Sequence, residues 1–207
     1  MHTVLIIDDH PVTTFAVRML LERDGLAVVG EAGNGIEGVR MARQLSPEIA
    51  IVDLDLPRLD GLEVVLRLGG LPCPPRTLVL TAHAPEVFAR RSLGAGAAGF
   101  VSKRDGLADV VNAVHALING YSYFPESMIA RTRGGAPESD LALLAQLSNR
   151  ELAVLKHLAV GRSNKEIADA MFLSNKTIST YKTRLCRKLG AQSLVELLDF
   201  VQRTRLV

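Results

Sequence analysis

Residues 49–57 read Ile-Ala-Ile-Val-Asp-Leu-Asp-Leu-Pro, and this stretch decides the fold. Its first four residues are apolar and predict a short strand buried on both faces, which is typical of a parallel sheet. Asp53 follows that strand directly, and Pro57 prevents the strand from continuing. Ligands of open α/β sheets bind beyond the carboxyl ends of the strands, so Asp53 lies where chemistry is expected.

The same alternation of short apolar runs and helical periodicity extends from the start of the chain to about Phe124. Segments such as 12–23 and 35–44 carry apolar residues at helical spacing. Five strands are predicted, at residues 4–7, 28–30, 49–52, 77–80 and 99–101. We therefore predict an α/β domain over residues 1–124, a (βα)5 fold with a doubly wound parallel sheet between two layers of helices.

The rest of the chain differs in periodicity and in charge. Residues 131–140 have no apolar periodicity and indicate a linker, to which we assign residues 125–144. Only helices are predicted beyond it, at residues 147–159, 164–171, 174–189 and 193–203. Residues 140–207 hold 11 Lys and Arg against 6 Asp and Glu, a net charge of +5, whereas the remainder carries −3. Such an asymmetry predicts different partners, with nucleic acid a candidate for the basic part.

Composition argues against a secreted, zinc-binding or membrane protein. Cys73 and Cys186 show no CxxC or Cys/His spacing, which favours unpaired thiols in a reducing compartment. The first residues lack the basic and long apolar regions of a secretory signal, and no run approaches the roughly 18 apolar residues of a membrane span. We expect a soluble, cytoplasmic protein without a membrane partner.

Three carboxylates are predicted to meet at one edge of the sheet. Asp8 and Asp9 follow the first strand as Asp53 follows the third, and neighbouring parallel strands end at the same edge. Clustered carboxylates repel one another unless a cation lies among them, and an oxygen-rich site without His or Cys suits Mg²⁺. The alternative is that Asp8 and Asp9 only cap the helix that begins near Pro11.

Thr81 and Lys103 follow the fourth and fifth predicted strands. A hydroxyl and a cation facing these carboxylates are what a phosphorylated aspartate needs around its added charge. Taken singly, each is more often an ordinary surface residue. Their matching positions at the ends of two strands favour a functional role.

These residues, with Asp53-Leu54-Asp55-Leu56-Pro57, Asp60-Gly61 and Phe100-Val101-Ser102-Lys103, resemble the receiver domain of two-component response regulators. The resemblance covers residues 1 to about 124. It implies that Asp53 accepts a phosphoryl group from a histidine kinase, that Thr81 and Lys103 contact its oxygens, and that Phe100 is an aromatic switch. It also implies an Mg²⁺ site made by Asp8, through water, Asp9, Asp53 and the backbone carbonyl of Asp55. For Phe100 the alternative is a core side chain, and we assign His83, more often a solvated loop residue, no role.

The basic part of the chain has the pattern of a helix-turn-helix. Ser148 and Glu151 form a predicted capping box at the start of the helix at 147–159. A second short helix precedes the helix at 174–189. That last helix has no acidic residue and carries five Lys and Arg. Its apolar stripe predicts a core-facing side, made by Ile178, Tyr181, Leu185 and Leu189.

The opposite face of this helix is predicted to enter the major groove of DNA. Ser179, Thr180 and Thr183 are candidates for base contacts. The remaining predicted DNA contacts, chiefly to phosphates, are Lys165, Lys176, Thr177, Lys182, Arg184, Arg187 and Lys188. The alternative is a solvated basic face, the default for an isolated run of charge.

Residues 145–207 resemble the LuxR-type DNA-binding domain, on Leu147 to Glu151, Gly161, Asn164 to Ala168, Leu173-Ser174, Lys176-Thr177-Ile178, Tyr181 and Lys188-Leu189. The chain departs from the pattern at Tyr181, where His or Asn is usual, and at Ser179-Thr180, so an operator sequence cannot be inferred. The final helix carries a stripe of Leu194, Leu197, Leu198 and Val201. The resemblance implies a homodimer contact there, and core packing is the equal alternative.

Together the two resemblances indicate a NarL/FixJ-type response regulator that binds promoter DNA as a homodimer. Residues 120–125 and 173–184 resemble the BvgA/EvgA branch of that family, which controls virulence or stress genes. Two alternatives remain. The Asp53-Leu54-Asp55 run also resembles the nucleophile and acid pair of haloacid-dehalogenase phosphatases, and the receiver could be a phosphate-independent dimerisation platform. The sequence does not identify the kinase, the operator, activation or repression, or the dimer surface.

Overall fold

The computed structural model describes residues 1–125, 140, 143–144, 147–204 and 206. The chain divides into two compact units, one within Met1–Ala130 and one within Arg131–Val207. Most of the predicted linker, including residues 126–139, lies outside the described residues.

The first unit is built on five parallel strands in the order β2-β1-β3-β4-β5. Their bounds are β1 Thr3–Ile7, β2 Ala27–Ala32, β3 Ile49–Val52, β4 Arg76–Thr81 and β5 Gly99–Ser102. Every residue of β3 is buried, as the run of four apolar residues predicts for a strand covered on both faces. The predicted (βα)5 fold is confirmed.

Five helices cover the two faces of this sheet. They are α1 Pro11–Arg23, α2 Gly35–Leu45, α3 Gly61–Gly69, α4 Pro85–Gly94 and α5 Ala108–Ile118. Side chains of α1 and α5, among them Val17, Leu21 and Leu117, join alternate strand residues in one apolar cluster. Helices α2, α3 and α4 follow one another in contact on the remaining face. A short 3-10 turn at Lys103–Asp105 leads from β5 toward α5.

The second unit contains four further helices in its described part. They are α6 Asn149–Ala159, α7 Asn164–Met171, α8 Asn175–Leu189 and α9 Leu194–Thr204. Three serines predicted at helix starts, Ser148, Ser174 and Ser193, lie just before these helices, and each accepts the N–H of the residue three positions later. Helix α8 packs on α6, α7 and α9.

A tight turn joins α7 to α8. It passes through Phe172, whose backbone is left-handed (φ 55°) and whose side chain is 93% exposed. The turn then reaches Ser174, the N-cap of α8. Two helices separated by three residues give the helix-turn-helix that the sequence predicts. Among the described residues, no helix is long and apolar enough to cross a membrane.

Candidate functional site

Strand register brings Asp8 and Asp53 together. Ile7 of β1 pairs with Val52 of β3, so the next residue of each strand lies at the same sheet edge. The Asp53 N–H donates to the Ile7 carbonyl at 2.9 Å, and this bond extends the ladder by one step. The two side chains are buried, at 7% and 2% exposure for Asp8 and Asp53. Two neighbouring carboxylates removed from water need a cation beside them.

The backbone after β3 holds the Asp53 carboxylate in place. Its Oδ1 accepts the N–H of Leu54 at 2.6 Å and, more weakly, that of Asp55 at 3.4 Å. Helix α3 begins next to this loop, with Asp60 accepting the Leu62 N–H as the N-cap. The predicted Asp60-Gly61 turn is therefore a helix start packed against the loop that carries Asp53.

The Lys103 ammonium faces the carboxylates, as its position after the fifth strand predicts. Its Nζ lies 2.6 Å from Asp53 Oδ2 and 2.8 Å from Asp8 Oδ2, with the lysine side chain 13% exposed. Burial lowers the pKa of Lys103, but the hydrogen bonds and charges of Asp53 and Asp8 outweigh burial, and the pKa is raised. The ammonium therefore remains charged at neutral pH. A raised pKa contributes stability that is lost only as the pH rises through the folded-state pKa.

Asp9 and His10 complete a group of four possible metal ligands. One donor atom each from Asp8, Asp9, His10 and Asp53 lies within 4.8 Å of all the others. The three carboxylates fit a hard divalent cation such as Mg²⁺, as predicted. The sequence reasoning treated the site as free of His, and in this respect it is incomplete. His10 adjoins Asp9 in the sequence, and that adjacency was the available signal.

Thr81 and Phe100 lie on the neighbouring strands β4 and β5. Thr81 ends β4, is fully buried, and accepts the His83 N–H through its Oγ1 at 3.3 Å. Phe100 is also fully buried, opposite Val79 of β4. This burial fits the core alternative that the sequence left open, and the roles of Thr81 and Phe100 stay predictions.

His83 differs from the expected solvated loop residue. Its side chain is only 17% exposed, and its Nε2 lies 2.7 Å from Asp55 Oδ1. The imidazole also stacks on Phe88 of α4, with ring centroids 4.4 Å apart. His83 thus links the loop after β3 to α4. Sequence spacing gives no signal for this pair, because Asp55 and His83 lie in loops beyond the strand ends, where the sheet no longer sets their positions.

The second unit presents the predicted face of α8 to solvent. Ile178, Leu185 and Leu189 are buried, whereas Tyr181 is only half-buried. The exposed residues of α8 include Lys176, Ser179, Thr180, Thr183, Arg184 and Arg187. The hydroxyls of Ser179, Thr180 and Thr183 each donate to the carbonyl four residues earlier. Their oxygens retain accepting capacity for a base edge.

Three further predicted DNA contacts also have partners within the unit itself. Lys188 Nζ lies 2.7 Å from Oε2 of Glu151, whose side chain is 4% exposed. Lys182 Nζ donates to Asn164 Oδ1 at 3.3 Å. Thr177 Oγ1 lies 2.7 Å from Ser174 Oγ, at the N-terminus of α8. Lys165 on α7 is exposed. The Lys188 contact ties α8 to α6, a structural role that the sequence reasoning missed.

The final helix divides its predicted stripe between core and surface. Leu197 and Val201 are buried, at 0% and 3% exposure, against the other helices of the unit. Leu194 is 42% exposed and Leu198 is half-buried. Core packing therefore accounts for half of the stripe, and Leu194 is available for the predicted dimer contact.

Two family models match the chain. The model for the response regulator receiver domain matches residues 4–115, and the model for bacterial regulatory proteins of the luxR family matches residues 145–201. The first matched segment contains Asp8, Asp9, Asp53 and Lys103, and the second contains the helix-turn-helix.

Related proteins match over nearly the whole chain. The virulence factors putative positive transcription regulator BvgA of Bordetella pertussis is 55% identical over 204 residues, 98% of both chains. The DNA-binding transcriptional activator EvgA of Escherichia coli is 37% identical over 202 residues, again 98% of both. A structure of RcsB from Salmonella enterica serovar Typhimurium, bound to promoter rprA with the phosphomimetic BeF3−, is similar with a TM-score of 0.67. It is 27% identical and covers 98% of this chain and 99% of that one.

The pocket, the helix-turn-helix and these full-length matches lead to one family. The chain belongs to the NarL/FixJ-type response regulators, transcription factors that join a receiver domain to a LuxR-type DNA-binding domain.

Proposed function

We propose that this regulator is switched when Asp53 accepts a phosphoryl group from a sensor histidine kinase. The observation that carries the proposal is the contact between the buried Asp53 carboxylate and the Lys103 ammonium, at 2.6 Å. A carboxylate fixed at a strand end is positioned as a nucleophile, and the adjacent cation neutralises the charge that arrives with the phosphoryl group. Phosphoryl transfer needs little beyond positioning and charge stabilisation.

In the proposed step an Asp53 carboxylate oxygen attacks the phosphorus of a phosphohistidine. A P–O bond forms as the P–N bond breaks, and the departing imidazole keeps the electron pair and takes up a proton. Lys103 and the Thr81 hydroxyl contact the phosphoryl oxygens, and Phe100 is the aromatic switch. We propose that Asp53 is phosphorylated and that its acyl phosphate is later hydrolysed. No small substrate is turned over, so the protein is a regulator and not a phosphatase.

The acidic group, made by Asp8, Asp9 and Asp53, is proposed to hold Mg²⁺ during this transfer. The proposed ligands are Asp8, acting through water, Asp9, Asp53 and the backbone carbonyl of Asp55. The side chains of the three aspartates reach within 4.8 Å of one another, which suits a shared divalent cation. When bound, the ion supplies positive charge against the carboxylates and the phosphoryl group. Asp53 itself remains the nucleophile.

The output is proposed to be binding of promoter DNA by a cytoplasmic homodimer. Residues 1–124 would form the receiver, 125–144 the linker and 145–207 the DNA-binding domain. The exposed hydroxyls of α8 would read base edges, and the basic residues around them would contact phosphates. Support comes from the relatives described as transcription regulators and from the RcsB structure bound to promoter rprA.

The test compares wild-type protein with Asp53→Asn. We expect acetyl phosphate and Mg²⁺ to add one phosphoryl group to the wild type, detected by mass spectrometry, and none to Asp53→Asn. Labelling is expected to increase dimerisation, measured by light scattering, and affinity for DNA fragments selected by the labelled protein. Glu63→Gln, which changes an exposed carboxylate on α3, is the matched control and should label like the wild type.

Three results would contradict parts of this proposal. Labelling of Asp53→Asn to the wild-type extent would show that Asp53 is not the acceptor. Normal labelling with unchanged dimerisation and DNA affinity would favour a phosphate-independent dimerisation platform. Continuous release of phosphate from small phosphoesters, abolished by Asp53→Asn, would favour the phosphatase.

A further inference from the structure

His10 lies among the three carboxylates of the acidic group. Its Nδ1 is 2.8 Å from Asp9 Oδ1 and 3.2 Å from Asp8 Oδ1. The same nitrogen is 3.7 Å from Oδ2 of Asp53. A single imidazole nitrogen thus faces one oxygen from each carboxylate proposed to bind the cation.

The backbone holds His10 beside these carboxylates, although the imidazole itself is 61% exposed. His10 is the N-cap residue of α1, yet within this fully described segment its side chain makes no capping hydrogen bond. Pro11 follows, and proline has no N–H to cap. The His10 N–H instead donates to Asp8 Oδ1 at 2.9 Å. The ring is therefore directed toward the carboxylates and not toward the start of the helix.

The distances from His10 to Asp9 and Asp53 agree with ligands that share one metal ion. Adjacent donors of an octahedral site with bonds of about 2.1 Å lie about 3.0 Å apart. Adjacent donors of a tetrahedral site with bonds of about 2.0 Å lie about 3.3 Å apart. The distance from His10 Nδ1 to Asp9 Oδ1 is close to these separations, and Asp53 Oδ2 lies a few tenths of an ångström beyond them.

Lys103 leaves this side of the group accessible. It bonds Asp8 through Oδ2, whereas His10 faces Oδ1 of the same carboxylate. Only Asp53 Oδ2 is shared, at 2.6 Å from Lys103 and 3.7 Å from His10. The ammonium and the imidazole therefore occupy different sides of the carboxylate pair. A cation on the His10 side does not require Lys103 to move away from Asp8.

We propose that His10 Nδ1 is a direct ligand of the divalent cation, and that the site therefore binds imidazole-preferring ions more tightly than three carboxylates alone would. Mg²⁺ is bound mainly by oxygen, whereas Ni²⁺, Zn²⁺ and Cu²⁺ gain strongly from an imidazole nitrogen. The inference rests on the proposed metal site at Asp53. It adds an imidazole to the two side chains proposed to bind the ion directly, Asp9 and Asp53, and it adds a metal preference to that site.

The experiment measures metal binding to the full-length chain without a phosphoryl donor. Ni²⁺ and Mg²⁺ affinities are determined by calorimetry for wild type, His10→Gln and His2→Gln. His2 is the matched control, because its Nδ1 also lies 2.7 Å from a carboxylate, that of Glu48, elsewhere on the surface. We expect His10→Gln to weaken Ni²⁺ binding about tenfold or more and to change Mg²⁺ binding by less than about twofold. His2→Gln should match the wild type.

A spectroscopic measurement detects the ligand directly. With Mn²⁺ as the probe, pulsed electron paramagnetic resonance should show coupling to an imidazole nitrogen in the wild type and in His2→Gln. The coupling should disappear in His10→Gln. Loss of metal binding in Asp9→Asn, with no coupling and no effect of His10→Gln, would overturn the inference and leave the oxygen site intact. Metal binding unaffected by Asp9→Asn and Asp53→Asn would overturn the proposed site itself.

Discussion

Gly61 shows how a single hydrogen atom in place of a side chain determines the geometry around Asp53. A Cβ at this position would lie 2.5 Å from the Leu54 Cα and would collide with the carbonyl oxygen of Asp53. Both are backbone atoms of the loop that begins with Asp53, so rotation of a side chain cannot relieve the collision. The first residue of α3 must therefore be glycine if the helix is to pack this closely.

We expect Gly61→Ala to lower the free energy of unfolding by about 1–3 kcal/mol, the usual cost of overpacking. The displaced loop should also slow labelling of Asp53 by acetyl phosphate. Gly69→Ala is the control, since no described atom lies within 4 Å of a Cβ there. Alanine favours helix at that position, so this variant should keep or slightly raise stability. Equal effects of the two substitutions in urea unfolding would contradict the steric argument.

At the scale of residues, the sequence predicts those site members whose position follows from a strand end. Asp8, Asp9, Asp53, Thr81 and Lys103 belong to this group, because parallel strands bring their C-terminal ends to one edge. It does not predict His83, whose contacts depend on where two loops meet. Nor does it predict that Lys188 turns toward α6, since a basic helix face looks the same in sequence whether its side chains reach DNA or a buried carboxylate.

Among the helices, α6 and α7 both begin with a capping box, but the two boxes differ in burial. Each has a serine N-cap and a glutamate three residues later that bond each other's backbone N–H. Glu151 of α6 is buried and also bonds Lys188, whereas Glu166 of α7 is exposed. Burial raises the pKa of Glu151, but its bonds to Lys188 and Ser148 outweigh burial, and the pKa is lowered.

A lowered pKa means that Glu151 stabilises the folded unit above its unfolded-state pKa, and that this contribution is lost as the pH falls through the folded-state pKa. We expect Glu151→Gln to lower the free energy of unfolding at pH 7 by about 2 kcal/mol, because the charged hydrogen bond with Lys188 is lost while the amide oxygen can still accept the Ser148 N–H. Its stability should also fall less steeply in acid than that of the wild type. Circular dichroism during an acid titration measures both effects.

Glu166→Gln is the matched control, because it makes the same change in a capping box whose glutamate has no ion pair to another helix among the described residues. Its effect at pH 7 should be clearly smaller than that of Glu151→Gln. If the two substitutions destabilise the protein equally, the contact between Lys188 and Glu151 contributes nothing beyond capping, and α8 is held to α6 by apolar packing alone.

At the scale of elements the sequence was also informative about helix starts. Serine followed three residues later by glutamate predicts the capping box at Ser148, because only short-range contacts are involved, and the structure adds a second box of the same spacing at Ser163. The stripe on the final helix was ambiguous for a physical reason. An apolar residue at helical spacing can pack on its own unit or on another copy, and the periodicity is the same in both cases.

Over the whole molecule, the net positive charge lies in the second unit. The lysines of its helix α8 are expected to have different roles. Lys176 is exposed on the face proposed to meet DNA, whereas Lys188 bonds Glu151. We expect Lys176→Ala to weaken binding to all DNA sequences and to reduce the salt slope by about one unit, as loss of one phosphate contact does. Fluorescence anisotropy of labelled DNA at several salt concentrations measures the slope.

Lys188→Ala is the comparison for this prediction. It should lower the unfolding midpoint in urea and leave the salt slope close to that of the wild type. A slope reduced to the same extent as in Lys176→Ala would show that Lys188 leaves Glu151 to contact phosphate, and would restore the role that the sequence alone suggests.

The position of Lys103 has a consequence for how fast the molecule can respond. Its backbone follows β5 at the edge of the sheet, while its ammonium holds carboxylates that follow β1 and β3, on the far side of β4. On the proposed function, an arriving phosphoryl group changes the partner of that ammonium. Such an exchange is a side-chain rotation, which takes picoseconds to nanoseconds, whereas collective motions of domains take microseconds or longer. The strand at the sheet edge would therefore sense the chemistry at the sheet centre well before the larger rearrangement that binds DNA.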